Sequence, residues 1–199
     1  VGLFKDMFNR AVMGKNPLER EKIWSDMFDE LNNPIIYPGI GGSAMSAIDI
    51  ALWDITGKKL GVPVSVLLGG KVKEKVHVYA TGLYYTRKNF NDEVDERIKE
   101  AKKYEKNGFN AMKIKIGALK VDKDLERVSK VKSSLNSNTM LSVDANQAYD
   151  LRTAKYVSDK LHEMDIFFFE EPIMGLDVEG YKELVRYSKV RISGGESLR

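Results

Sequence analysis

The chain of 199 residues contains no cysteine, which excludes disulfides, thiolate metal sites and a cysteine nucleophile, and is compatible with the cytosol, where the protein is expected to reside. Histidine is nearly absent too: His77 stands near the start of a strand, and His162 ends a helix, where a cation is favoured. Neither is assigned a chemical role. There is no excess of one charge, with 32 basic residues against 29 acidic and a formal net charge of +3. That balance offers no electrostatic case for nucleic acid or a membrane surface as partner. No apolar run approaches about 18 residues and no basic-then-apolar leader opens the sequence, so neither a transmembrane span nor a signal peptide is read. What is present, 43% hydrophobic and 31% charged residues, is ordinary for a globular chain. The charges are mixed along the helices and read as solvated faces.

The first third reads as helical. Phe4, Met7, Phe8, Ala11 and Val12 recur at helical spacing. Asn16, Pro17 and Glu19 then form a start signal, with a capping side chain, a proline at the first helical position and an acid at the third. The helix so begun is expected to turn Ile23, Trp24, Met27, Phe28 and Leu31 to a core and to end near Pro34. A glycine-rich turn, Gly39-Ile40-Gly41-Gly42, precedes a third helix in which Ala44, Ala47, Ile48, Ala51, Leu52 and Ile55 form the core face, with Gly61 as its stop.

From Lys75 the period changes. Strands are predicted at Val76 to Ala80, Ala111 to Ile116, Met140 to Asp144, Ile166 to Glu170 and Val190 to Gly194. Between them lie helices carrying Val94 to Tyr104 and ending at Gly108, then Leu125 to Leu135, Ala154 to Leu161 and Val178 to Tyr187. Such alternation means parallel strands joined by right-handed crossovers, an α/β fold. A (β/α)₈ barrel takes about 250 residues, whereas residues 74–199 supply roughly half of one. The favoured expectation is a partial TIM-type barrel from a longer gene product, since the sequence opens on Val1 and stops directly after a strand end. The alternative is an open, doubly wound sheet.

Asp144, Glu170 and Glu196 stand at two equal intervals of 26 positions (144 to 170, 170 to 196), each at the end of a predicted strand. One strand, one helix and two loops fill such an interval, so the three carboxylates belong at the same end of successive βα units. Any one alone would read as a cap on the helix that follows. Together they would repel strongly unless a hard divalent cation held them, and an all-oxygen set favours Mg²⁺ over zinc. Lys113 and Lys115 are two apart and share one side of their strand, while Met112, Ile114 and Ile116 take the other. Two inward cations are a poor core but suit a carboxylate substrate, and repulsion, desolvation and a nearby metal are expected to depress a lysine pKa toward that of a general base. The competing reading is an edge strand guarded by surface lysines. Asn146, two residues after Asp144, is expected to orient that ligand or to bond substrate. Of Glu170 and Glu171 the spacing selects Glu170 as ligand and leaves Glu171 as a hydrogen-bond partner behind it.

These residues, with Ala51-Leu52-Trp53-Asp54-Ile55-Thr56-Gly57-Lys58, Leu67-Leu68-Gly69-Gly70, Asp144-Ala145-Asn146, Glu170-Glu171-Pro172 and Gly195-Glu196, resemble the enolase superfamily over nearly the whole chain. The glutamate at 196 resembles the mandelate racemase subgroup more than the muconate lactonizing subgroup. The resemblance implies a modified (β/α)₇β barrel preceded by an α+β capping domain, with residues 1–73 as the helical part of the cap and 74–199 as the first half of the barrel. It also implies Mg²⁺, with Mn²⁺ as a substitute, on Asp144, Glu170 and Glu196. Lys115 would remove the proton α to the carboxylate of a small 2-hydroxy acid, and Lys113 and the metal would stabilise the enediolate, a base-and-metal pairing that is a general pattern of this superfamily. Thr81 and Tyr85 are candidate substrate contacts. The expected outcome is acid-sugar dehydration or racemisation, with cycloisomerisation and dipeptide epimerisation as alternatives within the family. A non-catalytic metal- or anion-binding α/β protein is the alternative outside it. A homo-oligomer is expected, and a polypeptide of these residues alone is expected to be inactive, since the second acid/base of the subgroup is not among them.

Overall fold

The computed structural model describes residues 8–31 and 37–196. The chain divides into two compact units, Val1–Val76 and His77–Leu198.

In the first unit residues 8–12 are helical (α1), followed by α2 (Arg20–Glu30), a kinked turn at Tyr37–Gly41 in which Gly39 is non-helical, α3 (Gly42–Leu60) and the single turn α4 (Val64–Leu67). Phe8, Ala11, Ile23, Met27, Leu31, Ala44, Met45 and Leu52 bury one another. The start of α2 differs from expectation. Asn16 closes a separate turn, its Oδ1 accepting from the Leu18 N–H and its carbonyl from the Glu19 N–H. The helix therefore starts at Arg20 on a Glu19 that makes no side-chain cap. Trp24 is exposed rather than in the core and stacks on Phe28 with ring centroids 5.3 Å apart. On α3, Ala47, Ala51 and Ile55 are exposed and the buried face runs instead through Ala44, Met45, Leu52 and Thr56. Gly61 ends the helix with φ 68°, the left-handed stop a glycine takes without strain. The parts of the first and second helical stripes and of the Pro34 stop that involve residues 1–7 and 32–36 lie outside the described residues.

The second unit is a five-stranded parallel sheet in the order β1-β2-β3-β4-β5: β1 (Ala80–Thr81), β2 (Ala111–Lys115), β3 (Met140–Asp144), β4 (Phe168–Glu170) and β5 (Arg191–Ser193). Helices α5 (Phe90–Lys106), α6 (Val121–Ser134), α7 (Leu151–Glu163) and α8 (Val178–Tyr187) connect them. Strict sequential order with right-handed crossovers lays every helix on one face, which is a barrel's winding and not a doubly wound sheet's. The strand residues facing that side, Met112, Ile114, Leu141, Val143 and Phe169, share one core with Ala101, Val128, Val131, Val157, Leu161 and Leu184 from the helices. Local chemistry places the helix starts. Asn89, Asp150 and Asp177 each accept a backbone N–H of the first turn, from Asp92, Thr153 and Gly180 respectively.

Met140–Asp144 and Val178–Tyr187 have the expected bounds. Helices α6 and α7 start four and three residues earlier than their apolar stripes, at Val121 and Leu151, because polar first turns carry no stripe. Residues 76–79 are exposed, and only Ala80 and Thr81 pair, with Met112 and Lys113. Among the described residues β1 and β5 are the edges of the sheet, so each pairs on one side only. No helix among the described residues is long and apolar enough to cross a membrane.

Candidate metal centre and active site

The register across the sheet builds the site. Lys115 lies beside Asp144, Asp144 beside Glu170 and Glu170 beside Ser193, one row across four strands at their C-terminal ends. Because neighbours in a row point to the same side, the pleat that buries Ile114 and Val143 among the helices turns Lys113, Lys115, Asp144 and Glu170 to the opposite face. Asp144, Glu170 and Glu196 each offer an oxygen, and the three lie within 4.8 Å of one another. Asp144 is buried, Glu170 half-buried and Glu196, just beyond β5, exposed. The donor set is all carboxylate, which fits a hard divalent cation.

Both lysines belong to the same cluster. Lys113 Nζ donates to Glu170 Oε2 at 2.7 Å and lies 3.1 Å from Asp144 Oδ2. Lys115 Nζ donates to Asp144 Oδ2 and to Asn146 Oδ1, both at 2.6 Å. The Asn146 N–H donates to Asp144 Oδ1 at 3.0 Å. An edge strand guarded by surface lysines is therefore not what forms; β2 is an inner strand and Lys113 is buried. At Lys113 the neighbouring carboxylates favour the charged form. Burial works against its ammonium, but the hydrogen bonds to Glu170 and Asp144 outweigh burial and hold the group well above the usual lysine range. At Asp144 burial favours the neutral acid, yet the bonds from Lys115, the Asn146 N–H and Lys113 keep the carboxyl below its usual range.

The remaining candidates separate. Thr81 is exposed at the end of β1, in register with Lys113 and so on the site's side. The Tyr85 hydroxyl donates to Asp124 Oδ1 at 2.5 Å, and the Arg127 guanidinium lies 4.4 Å from its ring. The tyrosines at the site are Tyr84, whose exposed ring is 5.9 Å from Lys115 Nζ, and Tyr79, 5.7 Å from Lys113 Nζ. Glu171 is buried, and its Oε2 accepts from Gln147 Nε2 at 3.4 Å instead of meeting any of the three carboxylates. It braces the loop after Asp144, because the Gln147 N–H also donates to the Glu171 carbonyl at 2.7 Å. Asn146, Gln147 and Glu171 all have positive φ, at 42°, 66° and 40°, conformations that cost side-chain-bearing residues of order 1 kcal/mol or more and gather at functional loops. Not all helix charges are solvated either, since Glu93, Asp124 and Arg127 are buried behind the β2–α6 loop.

Residues 96–199 match the family model described as enolase C-terminal domain-like. The chain belongs to the enolase superfamily. Residues 4–69 match the model of the mandelate racemase / muconate lactonizing enzyme N-terminal domain. Among superfamily members, this chain is 34% identical to the D-galactarolactone cycloisomerase of Agrobacterium fabrum over 186 residues, covering 94% of this chain and 48% of that protein. It is 36% identical to the arabinonate dehydratase of Saccharolobus solfataricus over 159 residues, covering 80% of this chain and 42% of that one. A crystal structure of a Streptomyces coelicolor racemase with bound magnesium superposes with a TM-score of 0.88 at 31% identity, covering 99% of this chain and 53% of that one. The chain thus spans about half the length of the relatives it matches.

Proposed function

We propose that the protein is an enzyme that abstracts the proton α to the carboxylate of a sugar acid with the help of Mg²⁺, and that its reaction is dehydration. The observation that carries this reading is the convergence of three carboxylates and two lysine amines on one side of the sheet at the C-terminal ends of its strands. Asp144, Glu170 and Glu196 would hold the metal, which supplies Lewis acidity to the substrate carboxylate when bound. Lys115, fixed by Asp144 and Asn146, acts as the neutral amine and accepts the α-proton on its Nζ lone pair while the C–H electron pair moves into the carboxylate. Lys113 places a positive charge where negative charge develops. The electron pair then returns to expel the β-hydroxyl, which leaves with a proton as water, and the resulting enol tautomerises to a 2-keto acid. The substrate is a small polyhydroxy carboxylate. Arabinonate, galactonate and gluconate dehydratases among the relatives support that class.

Cycloisomerisation is the second reading, favoured by the likeness to a D-galactarolactone cycloisomerase and a 3,6-anhydro-α-L-galactonate cycloisomerase; it uses the same abstraction and differs in the fate of the intermediate. The test is incubation of the gene product of natural length with five- and six-carbon sugar acids and Mg²⁺ in D₂O. Release of a 2-keto-3-deoxy acid carrying deuterium at C3, where the enol takes up its proton from solvent, is the expected result. Exchange with a ring-opened or ring-closed isomer as product selects the second reading. No exchange with any sugar acid, in a protein that still binds Mn²⁺, would leave a metal- or anion-binding protein.

A further inference from the structure

Behind the site, inside the helix layer, lies a cluster of charge that the proposed chemistry does not use. Arg127 on α6 has no solvent exposure. Its Nε donates to both carboxylate oxygens of Glu93 on α5, at 2.8 and 2.9 Å. Its Nη1 donates to the carbonyl of Lys115 at 2.6 Å, and its Nη2 to the carbonyl of Leu83 at 2.8 Å. One turn earlier, Asp124 Oδ2 accepts the N–H groups of Gly117 at 2.8 Å and Leu119 at 3.2 Å. Two adjacent α6 residues of the same face thus grip the backbone on both sides of the point where β2 leaves the sheet. The loop after β1 is held from the same layer, for Leu83 donates to Glu100 and Arg97 donates to the Tyr84 carbonyl at 2.7 Å.

We propose that Arg127, neutralised by Glu93, is the positioning residue for Lys115. A guanidinium is rigid and planar, so two carbonyls bound to its two terminal nitrogens are held at a set separation and direction. One of them belongs to the residue whose Nζ must meet Asp144 and Asn146; the other belongs to the loop that presents Tyr84. A buried ion pair is a weak source of stability, since a hydrophobic pair of like volume commonly does as well or better. A hydrophobic pair cannot orient two carbonyls. The pair is therefore read as fixing the height of the end of β2, and with it the reach of the Lys115 amine.

The catalytic arm of the test rests on the proposed proton abstraction, whereas the spectroscopic arm does not. Arg127→Met alone leaves Glu93 buried and unpaired, so the informative variant is the double change Glu93→Met with Arg127→Met, which removes both charges together. The lysine side-chain resonances are followed by carbon-detected NMR, assigned through Lys113→Arg and Lys115→Arg. The Lys115 resonance is expected to move while that of Lys113 stays, with the Mn²⁺ affinity preserved. Arg127→Lys, which keeps the charge but loses the fork, should move Lys115 in the same way. In the gene product of natural length, turnover of the sugar acid should fall by about 100-fold, the size of loss that a displacement near 1 Å produces. An unmoved Lys115 in either variant overturns the proposal. So does an equal shift of both lysines together with a lower midpoint, which would make the pair general structural support. Wild-type protein without exchange on any sugar acid sinks the enzymatic reading, and the Lys115 resonance still decides the positioning role.

Discussion

On β2 the two sides of one strand carry opposite chemistry at single-residue spacing. Met112, Ile114 and Ile116 vanish among aliphatic side chains of the helices, while Lys113 and Lys115 turn to the other side and are held by Asp144, Glu170 and Asn146. The helix-facing side gains by excluding water from carbon, a non-directional effect that tolerates changes of shape at constant volume. The opposite side is directional, because each charge there is tolerable only while its partner stays within hydrogen-bond reach. Substitutions on the first side should be felt in stability alone, and those on the second in chemistry or metal affinity, with stability lost as well where a buried charge is left without its partner.

Four measurements sharpen that contrast. The largest effect is expected from Lys115→Met in the gene product of natural length, which removes the base. Turnover of the sugar acid should fall by about 1,000-fold, with a lower thermal midpoint because buried Asp144 loses one of its two cationic partners; retention of turnover would reassign the base. Next is Asp144→Asn, which keeps the shape but takes one anion from between two ammonium groups. It should lower stability by about 3 kcal/mol and abolish Mn²⁺ binding by calorimetry, crossing both categories at once. Ile114→Ala, one residue from either lysine, should cost about 2 to 3 kcal/mol in denaturant unfolding and leave Mn²⁺ affinity unchanged. A change in that affinity would show that the two sides of the strand are not independent.

The smallest effect concerns an anion away from the site. Glu105, near the end of α5, accepts from the Asn136 N–H at 2.8 Å, the Thr139 hydroxyl at 2.7 Å and Lys102 at 2.9 Å. Burial favours its neutral form, but these donors outweigh burial and hold the carboxyl below the usual range. A folded-state pKa below the unfolded one adds stability above the unfolded pKa and loses it as pH falls through the folded one. The midpoint gap between wild type and Glu105→Gln should therefore be open at neutral pH and close below about pH 4. A gap independent of pH would mean that hydrogen-bond geometry, not charge, carries the contribution.

What could be read from the residues alone follows the same division. Strand alternation holds wherever the backbone is extended, so β3 ends at Asp144 as its apolar run says, and the lysine pair and the three carboxylates fall on one side. Alternation fails where φ turns positive. Leu83 at φ 53° interrupts the extended backbone after β1, and Tyr84 is the ring 5.9 Å from Lys115 Nζ. Glu171 at φ 40° sends its carboxylate to Gln147. Asn146 meets Lys115, as counting by two suggests, but from a left-handed turn instead of a continued strand. Arg127 and Glu93 carry no local signal, because a charged residue on an amphipathic helix looks the same whether it meets water or a partner 34 positions away. Paired edge strands are short for a similar reason: Val76 to Tyr79 have the side chains of a strand but pair with nothing among the described residues.

The sequential strand order also bears on how the second unit is made. Every strand pairs with the one synthesised just before or after it, and the partners that build the site, such as Lys115 and Asp144, lie only 29 residues apart. Among these five strands loop-closure entropy is therefore met in short instalments. As the chain leaves the ribosome, each strand and helix can dock on the pair already formed, so the sheet can grow by accretion from its N-terminal edge at the pace of translation.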